Sequence, residues 1–336
     1  MSAAPTVLVT GGAGFIGSHT CKALHKAGYT PVTFDNLSTG NRSAIKWGPL
    51  ETGDILDEEN LCRVIAQYKP VAVIHFAALA YVGESEQDPA RYYKNNVSGL
   101  LCLLSAMKRC DLHHIVFSSS CATYGLPQKL PIGEDQQQEP INAYGRTKLI
   151  GEQILEDFRR IHGFHYGILR YFNAAGADLD GEIGEDHDPE THLIPNVLTT
   201  ALGGAKVKVF GTDYDTPDGT CIRDYIHVAD LADAHLRALT MLTEKDPCSF
   251  ACNLGSGRGV SIMEIIKESE RLLERPIPFQ HGPRRAGDPP FLVADTRKAQ
   301  ELLGWAPRHS DLSTILRSSH AWLARKSIFQ DQIIRA

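Results

Sequence analysis

Tyr144-Gly145-Arg146-Thr147-Lys148 sets a phenol and an ammonium four residues apart, which on a helix places them on one face. A phenol with a pKa near 10 is a poor base at neutral pH. A positive charge within about 4–6 Å favours phenolate by roughly 1–3 pKa units, bringing it towards the range where general-base catalysis is efficient. Ser118, Ser119 and Ser120 close a buried-strand pattern that starts at His114, so Ser120 can reach the same cleft. Tyr144, Lys148 and Ser120 are the catalytic candidates, suited to moving a proton to and from a hydroxyl.

A second constellation is Gly11-Gly12-Ala13-Gly14-Phe15-Ile16-Gly17, with glycines at its first, fourth and seventh places. Val7 to Val9 before it reads as a strand buried on both faces. After it, Ile16, Thr20, Leu24 and Ala27 share one helical face, and Gly28 closes the helix. Pro31 to Phe34 makes another strand, ending in Asp35, 18 residues past Gly17. Glycines let main-chain N–H groups approach a pyrophosphate at a helix N-terminus. An acid at the second strand's tip accepts from ribose hydroxyls and repels the extra phosphate of NADP. The cofactor expected is NAD, whose positive nicotinamide would add to Lys148 in favouring the Tyr144 phenolate.

These residues need a frame. Val71 to Phe76, followed by Ala77-Ala78, and Tyr166 to Tyr171 are further apolar runs. Helical patterns cover about 90–109 and 142–161, the latter stopped by Gly163. Alternating strands and helices predict an α/β fold, a doubly wound parallel sheet of Rossmann type. Ligands then bind beyond the strand C-terminal ends, where Asp35, Phe76, Ser118 to Ser120 and Tyr171 to Asn173 fall. Past Asn173 the pattern loosens, with helices near 228–243, 261–274 and 311–325. The division expected is a cofactor domain over 1–175, to which about 225–256 returns, and a smaller mixed substrate domain over 176–336.

The totals narrow the function classes. Of 336 residues, 43% are hydrophobic and 22% charged, enough for a sizeable core, and the net charge of −6 gives no basic footprint for nucleic acid. No apolar run reaches the ~18 residues of a membrane span, and Met1 to Pro5 leads straight into a strand, so neither span nor signal peptide is expected. The eight cysteines are scattered and read as reduced thiols in a cytoplasmic protein. Cys248 and Cys252 lack a second ligand pair, and His113, His114, His187 and His192 read as polar loop or strand-edge residues, so no metal is expected. Cys121, beside Ser120, has no visible feature that would lower its pKa, and reads as packing.

GGAGFIG, the Tyr144–Lys148 pair and FSSSCATYG at 117–125 resemble the extended short-chain dehydrogenase/reductase family. HFAALAYVGES (75–85), YFNAAGAD (171–178), DGTCIRDYIHVADLADAH (218–235) and RRAGD (284–288) are similar, end to end, to its UDP-sugar 4-epimerases. That resemblance implies bound NAD regenerated at each turnover, and interconversion of UDP-glucose and UDP-galactose through a 4-keto sugar. It implies pyrophosphate contacts from Gly11, Gly14, Phe15, Ile16 and Gly17, and adenosine ribose contacts from Asp35 and Asn36. Asp54 and Ile55 would frame adenine, while Phe76, Ala77, Ala78, Asn95, Ser118 and Phe172 would line the rest, with Tyr144 and Lys148. Arg223 and Arg285 would hold the substrate diphosphate, Asp288 the uridine ribose, Asn173 the phosphate or the sugar, and Leu193 and Leu292 the sugar pocket, beside Ser120 and Tyr144.

Related dehydratases carry an Asp-Glu pair where Cys121 and Ala122 stand, which disfavours water elimination here. Ala80 replaces a family lysine, and GEIGEDHDPETHLIP (181–195) resembles exopolysaccharide epimerases and plant UDP-arabinose 4-epimerases. UDP-xylose and UDP-arabinose are therefore the second substrate pair. Leu292 stands where residue size governs entry of N-acetylhexosamines, and leucine is intermediate. A non-catalytic NAD sensor is the rival of another class; the intact Tyr–Lys pair argues against it. A homodimer through the helices near 90–109 and 142–161 follows from the family.

Overall fold

The computed structural model describes residues 4–285 and 288–334; Met1 to Ala3, Ala286 and Gly287 of the RRAGD motif, and the last two residues lie outside the described residues. In chain order the first half runs β1 (Thr6–Thr10), α1 (Phe15–Lys26), β2 (Thr30–Asp35), β3 (Leu50–Thr52), α2 (Glu58–Tyr68), β4 (Ala72–His75), α3 (Val82–Gln87) and α4 (Pro89–Tyr92). It continues with α5 (Gly99–Arg109), β5 (His114–Ser120), α6 (Ala143–His162) and β6 (His165–Tyr171). The second half comprises β7 (Asn173–Ala175), α7 (Leu193–Ala201), β8 (Val207–Phe210), β9 (Ile222–His227), α8 (Val228–Thr243) and β10 (Phe250–Leu254). Then follow β11 (Gly259–Ser261), α9 (Ile262–Leu273), β12 (Phe279–Gly282), β13 (Phe291–Leu292), α10 (Arg297–Leu303) and α11 (Leu312–Ile334).

Val7, Leu8 and Val9 are fully buried because β1 lies in the middle of a seven-stranded sheet, ordered β10-β6-β5-β4-β1-β2-β3, with every pairing parallel. Val7 and Val9 face the α1 and α8 layer, with Leu24, Leu231 and Leu239. Leu8 faces the α2 and α5 layer, with Leu61, Leu100 and Leu104. A strand covered on both faces reads as an unbroken apolar run, which is why the sheet was legible in sequence. Strand order reverses between β1 and β4, and the crevice opens there, at the strand C-terminal ends.

The helix boundaries follow their capping signals. Asn142 accepts the Gly145 N–H at 2.8 Å to start α6, and Gly163, at φ 70°, ends it. The pattern near 90–109 is not one uniform helix. A π-helical turn, Tyr93–Ser98, separates α4 from α5. The Asn96 side chain turns away from that coil to bond Leu79 N and O at 2.8 and 3.0 Å and Thr147 Oγ1 at 3.0 Å. A widened turn frees side-chain positions that regular geometry hides, and here Asn95 Nδ2 donates to Asn96 Oδ1 at 3.0 Å.

Beyond β6 a second core gathers Ile194, Val197, Leu198, Tyr225, Ile265, Ile315 and Leu316 around α7, α9 and α11. Its sheet centres on β9, with β7, β11 and β13 beside it, and β8 pairs with β12. Helix α8 and β10 pack back onto the large sheet, β10 pairing with β6. Among the described residues no helix is long and apolar enough to cross a membrane.

Candidate functional site

The glycine turn after β1 has no room for side chains. A Cβ on Gly11, which sits at φ +75°, would meet Ala77 N at 2.6 Å; one on Gly17 would meet Gly11 O at 2.2 Å. Close backbone packing thus holds α1 against β1 and β4, and the turn faces the crevice with its main chain. The first N–H groups of α1, from Phe15 and Ile16, have no intrahelical acceptor, and no side chain caps Gly14. A pyrophosphate is the ligand such a terminus accepts, so the cradle fits a dinucleotide. Asp35, at the tip of β2, is buried and accepts from Ala13 N at 3.0 Å and Leu37 N at 2.8 Å. Leu37 adopts φ 58°, a conformation unusual for leucine, and so turns its N–H onto that carboxylate. Burial raises the Asp35 pKa, and these two N–H bonds oppose the rise. Asn36 Nδ2 donates to Asp54 Oδ2 at 3.3 Å, which ties the two adenosine-side candidates together over buried Ile55.

On the other side of the reversal, Phe76 leaves β4 and packs on His235, ring centroids 4.7 Å apart, and the Ala77 backbone abuts the Gly11 turn, with Ala78 next in the chain. Ser118 holds Lys148 through its carbonyl, to which Nζ donates at 2.8 Å. Lys148 Nζ lies 5.9 Å from the centre of the Tyr144 ring, and the Ser120 hydroxyl is near enough to Tyr144 to ease ionisation of its phenol. The three catalytic candidates therefore meet, two from the first turns of α6 and one from the end of β5. In the chain by itself burial sets their proton affinities. It pushes Tyr144 up to about 12, against the Ser120 hydrogen bond, and Lys148 down to about 7, against the charge of Glu152. The positive nicotinamide of NAD, when bound, would add to Lys148 in favouring the Tyr144 phenolate against that burial. Cys121 is buried and its thiol is pushed up to about 12, so it is not a nucleophile at neutral pH.

The other substrate-side candidates come from β7, α7, β9, β13 and the loop before β13. Leu292, in β13, packs in one apolar cluster with the cofactor-side Phe172, beyond β6, and with Cys121, Tyr124, Ile132 and Ala294. Asn173 opens β7 beside it, and Leu193 opens α7, packed on the second core. Arg223, buried in β9, donates to Asp288 and, from Nη1, to Ile222 O at 2.8 Å. Arg285 lies against the Phe210 ring, its guanidinium carbon 4.2 Å from the centroid. Arg223, Asp288 and Arg285 all act on the buried Cys221 thiol, which places them in one neighbourhood.

Several residues that organise the site carried no chemical signal of their own. Glu152, one turn past Lys148, accepts from Ser119 Oγ at 2.5 Å and from Arg170 Nη2 at 2.6 Å, fixing the strand end between Ser118 and Ser120. Tyr124 accepts from Arg170 and donates to Asn253, both at 2.8 Å. Asp224, beside Arg223, accepts from Ser256 N and Oγ, Gly257 N and Ala294 N, locking β9 to the chain on either side of β11 and β13. The spacing of Glu152 from Lys148 was readable, but its partners lie on β5 and β6. Lys22 of α1 is held by Asp178, Asp180 and Glu182, and Asn41 donates to Asp186 at 2.8 Å, so the segment after β7 is fastened across the mouth of the cradle.

Residues 7–255 match the model of the NAD dependent epimerase/dehydratase family. The chain is 53% identical over 326 residues to UDP-glucose 4-epimerase of Rhizobium leguminosarum bv. trifolii, covering 97% of this chain and 99% of that protein. Its fold matches the crystal structure of UDP-glucose 4-epimerase from Brucella ovis in complex with NAD, with a TM-score of 0.92, 57% identity, and 94% and 98% of the two chains covered. It also matches UDP-glucose-4-epimerase from Stenotrophomonas maltophila with bound NAD and formylated UDP-arabinopyranose, TM-score 0.92, 39% identity, covering 96% and 99%.

Proposed function

The chain belongs to the NAD dependent epimerase/dehydratase family, and on that premise we propose that it is a UDP-sugar 4-epimerase interconverting UDP-glucose and UDP-galactose. The observation that carries this reading is the meeting of Ser120, Tyr144 and Lys148 beside the glycine cradle. NAD, when bound, supplies the hydride acceptor and donor. Tyr144 takes the proton of the sugar 4-hydroxyl, with Ser120 bridging to the same oxygen. It returns the proton after the 4-keto sugar has turned over in the pocket, which inverts C4. Lys148 keeps positive charge beside the phenolate and donates to the nicotinamide ribose. Gly11, Gly14, Phe15, Ile16 and Gly17 hold pyrophosphate; Asp35 and Asn36 hold ribose; Asp54, Ile55, Phe76, Ala77, Ala78, Asn95, Ser118 and Phe172 line the rest.

Arg223 spends only part of its guanidinium on Asp288 and Ile222, and its remaining donors, with Arg285, suit a diphosphate. Asp288 then serves the uridine ribose, and Asn173, Leu193 and Leu292 shape the sugar pocket. Residues 1–175, with 225–256, form the cofactor domain and 176–336 the substrate domain; the packing of α8 and β10 on the large sheet supports that division. A cytoplasmic homodimer completes the reading, supported by Leu101 on α5 and Ile161 on α6, which are 41% and 61% exposed.

The test is an equilibrium assay on purified protein without added cofactor, with UDP-galactose and UDP-arabinose in parallel. Faster conversion of the hexose to UDP-glucose supports the proposal. A pentose preference keeps the mechanism and changes the substrate. No conversion of either, with NAD still bound, would make the protein a sensor.

A further inference from the structure

Four side chains from one eight-residue segment, Glu185, His187, Glu190 and His192, converge in the loop before α7. Their ligand atoms all lie within 4.8 Å of one another. Glu185 Oε1 is 3.2 Å from His187 Nδ1; Glu190 Oε1 is 3.3 Å from His192 Nδ1, and its Oε2 is 3.9 Å from His187 Nδ1. Glu185 also bonds His192 directly. A tetrahedral ion with bonds of about 2.0–2.2 Å separates its ligand atoms by about 3.3–3.6 Å; the Glu185–His187 and Glu190–His192 pairs already stand at 3.2 and 3.3 Å, and the Glu185–His192 pair must open to admit the ion.

We propose that Glu185, His187, Glu190 and His192 form a structural site for one divalent transition-metal ion of the zinc class. Two carboxylates and two neutral imidazoles balance a dication's charge and match the nitrogen and oxygen preference of Zn2+. Four protein ligands leave no open position, so the ion is a staple and takes no part in the reaction. Access is one-sided: the Glu185 side chain is 6% exposed and that of His192 50%. The surroundings fix the ligands. Trp322 Nε1 donates to Glu185 O at 2.9 Å, and the His187 ring packs edge-on against Phe15 and Tyr81, with centroids 6.4 and 6.0 Å away. An ion here would brace the loop against Phe15, the first residue of α1. Asp178, Asp180 and Glu182 form the other convergent group among the described residues, but it offers no nitrogen ligand and already holds Lys22.

The experiment titrates chelator-treated, NAD-loaded protein with Zn2+ against a chromophoric chelator. One Zn2+ per chain is expected, bound more weakly as pH falls, because protons compete for the imidazoles. Co2+ in its place should give the strong visible bands of tetrahedral coordination. The double variant His187→Ala, His192→Ala should lose at least about 100-fold in Zn2+ affinity. Should it not fold, Glu190→Gln, which leaves the Glu185–His192 bond intact, should still lose about tenfold. A wild-type chain that takes up no stoichiometric Zn2+ overturns the proposal and leaves an ion-pair network. Undiminished binding by both variants overturns it too, placing the metal elsewhere, such as on exposed Cys248.

Discussion

At the scale of single residues, the cleft is tuned against the protonation states its chemistry needs, which makes its charges testable. Burial holds Tyr144 near 12 and Lys148 near 7 in the chain alone. Tyr144→Phe should lower turnover by about 10²–10⁴-fold while NAD stays bound through purification, measured by nucleotide release. Activity near wild type would remove Tyr144 from the proton path. Glu152 is the charge that raises the Lys148 pKa. Glu152→Gln should therefore let Lys148 lose its proton at lower pH, moving the alkaline limb of kcat to lower pH. It also strands buried Arg170, so the free energy of unfolding should fall by about 3–5 kcal/mol, the cost of breaking a buried pair, read by denaturant titration. Tyr144 and Lys148 were legible as a spacing on one helix face. The dominance of burial over their mutual charge was not, because desolvation depends on what covers the pair.

Element geometry places those residues. The β1 turn and α1 touch through bare backbone, and a methyl group at position 17 would overlap Gly11 O. Gly17→Ala should lose most bound NAD and about 1–3 kcal/mol of stability, by overpacking, read as nucleotide content and thermal midpoint. Normal NAD content in that variant would mean that the turn does not carry the pyrophosphate. Helix α6 was readable from Asn142 to Gly163, since its caps are local. The π-helical turn before α5 was not, because the Asn96 bonds that accompany it run to Leu79 and Thr147, distant in sequence.

At the scale of the whole molecule, His19, His75, His227 and His235 lie in the packed interior, and burial lowers their pKa values to about 4, 3, 4 and 4. The unfolded chain takes up these protons near pH 6.5, before the folded chain does. Stability should then fall as pH drops from about 6.5 towards 4, and it is fully present above that window. Thermal unfolding in chelator-containing buffer should show a midpoint several degrees lower at pH 5 than at pH 7. A flat midpoint would mean these histidines are solvated. Light scattering tests the proposed dimer; a monomer would leave Leu101 and Ile161 without a covering partner.

The sequence by itself determined the large sheet, the glycine turn and the placing of Tyr144 and Lys148 on one helix face. Each depends on local periodicity, on glycine where no side chain fits, or on a spacing of four along one helix. Tertiary structure decided which distant residues share a space: Arg223 with Asp288, Phe172 with Leu292, Lys22 with Asp178, and Glu152 with Ser119 and Arg170. It also brought together two histidines and two glutamates of a polar loop. Such pairings are set by how two cores dock across a crevice, and no single stretch of chain encodes that.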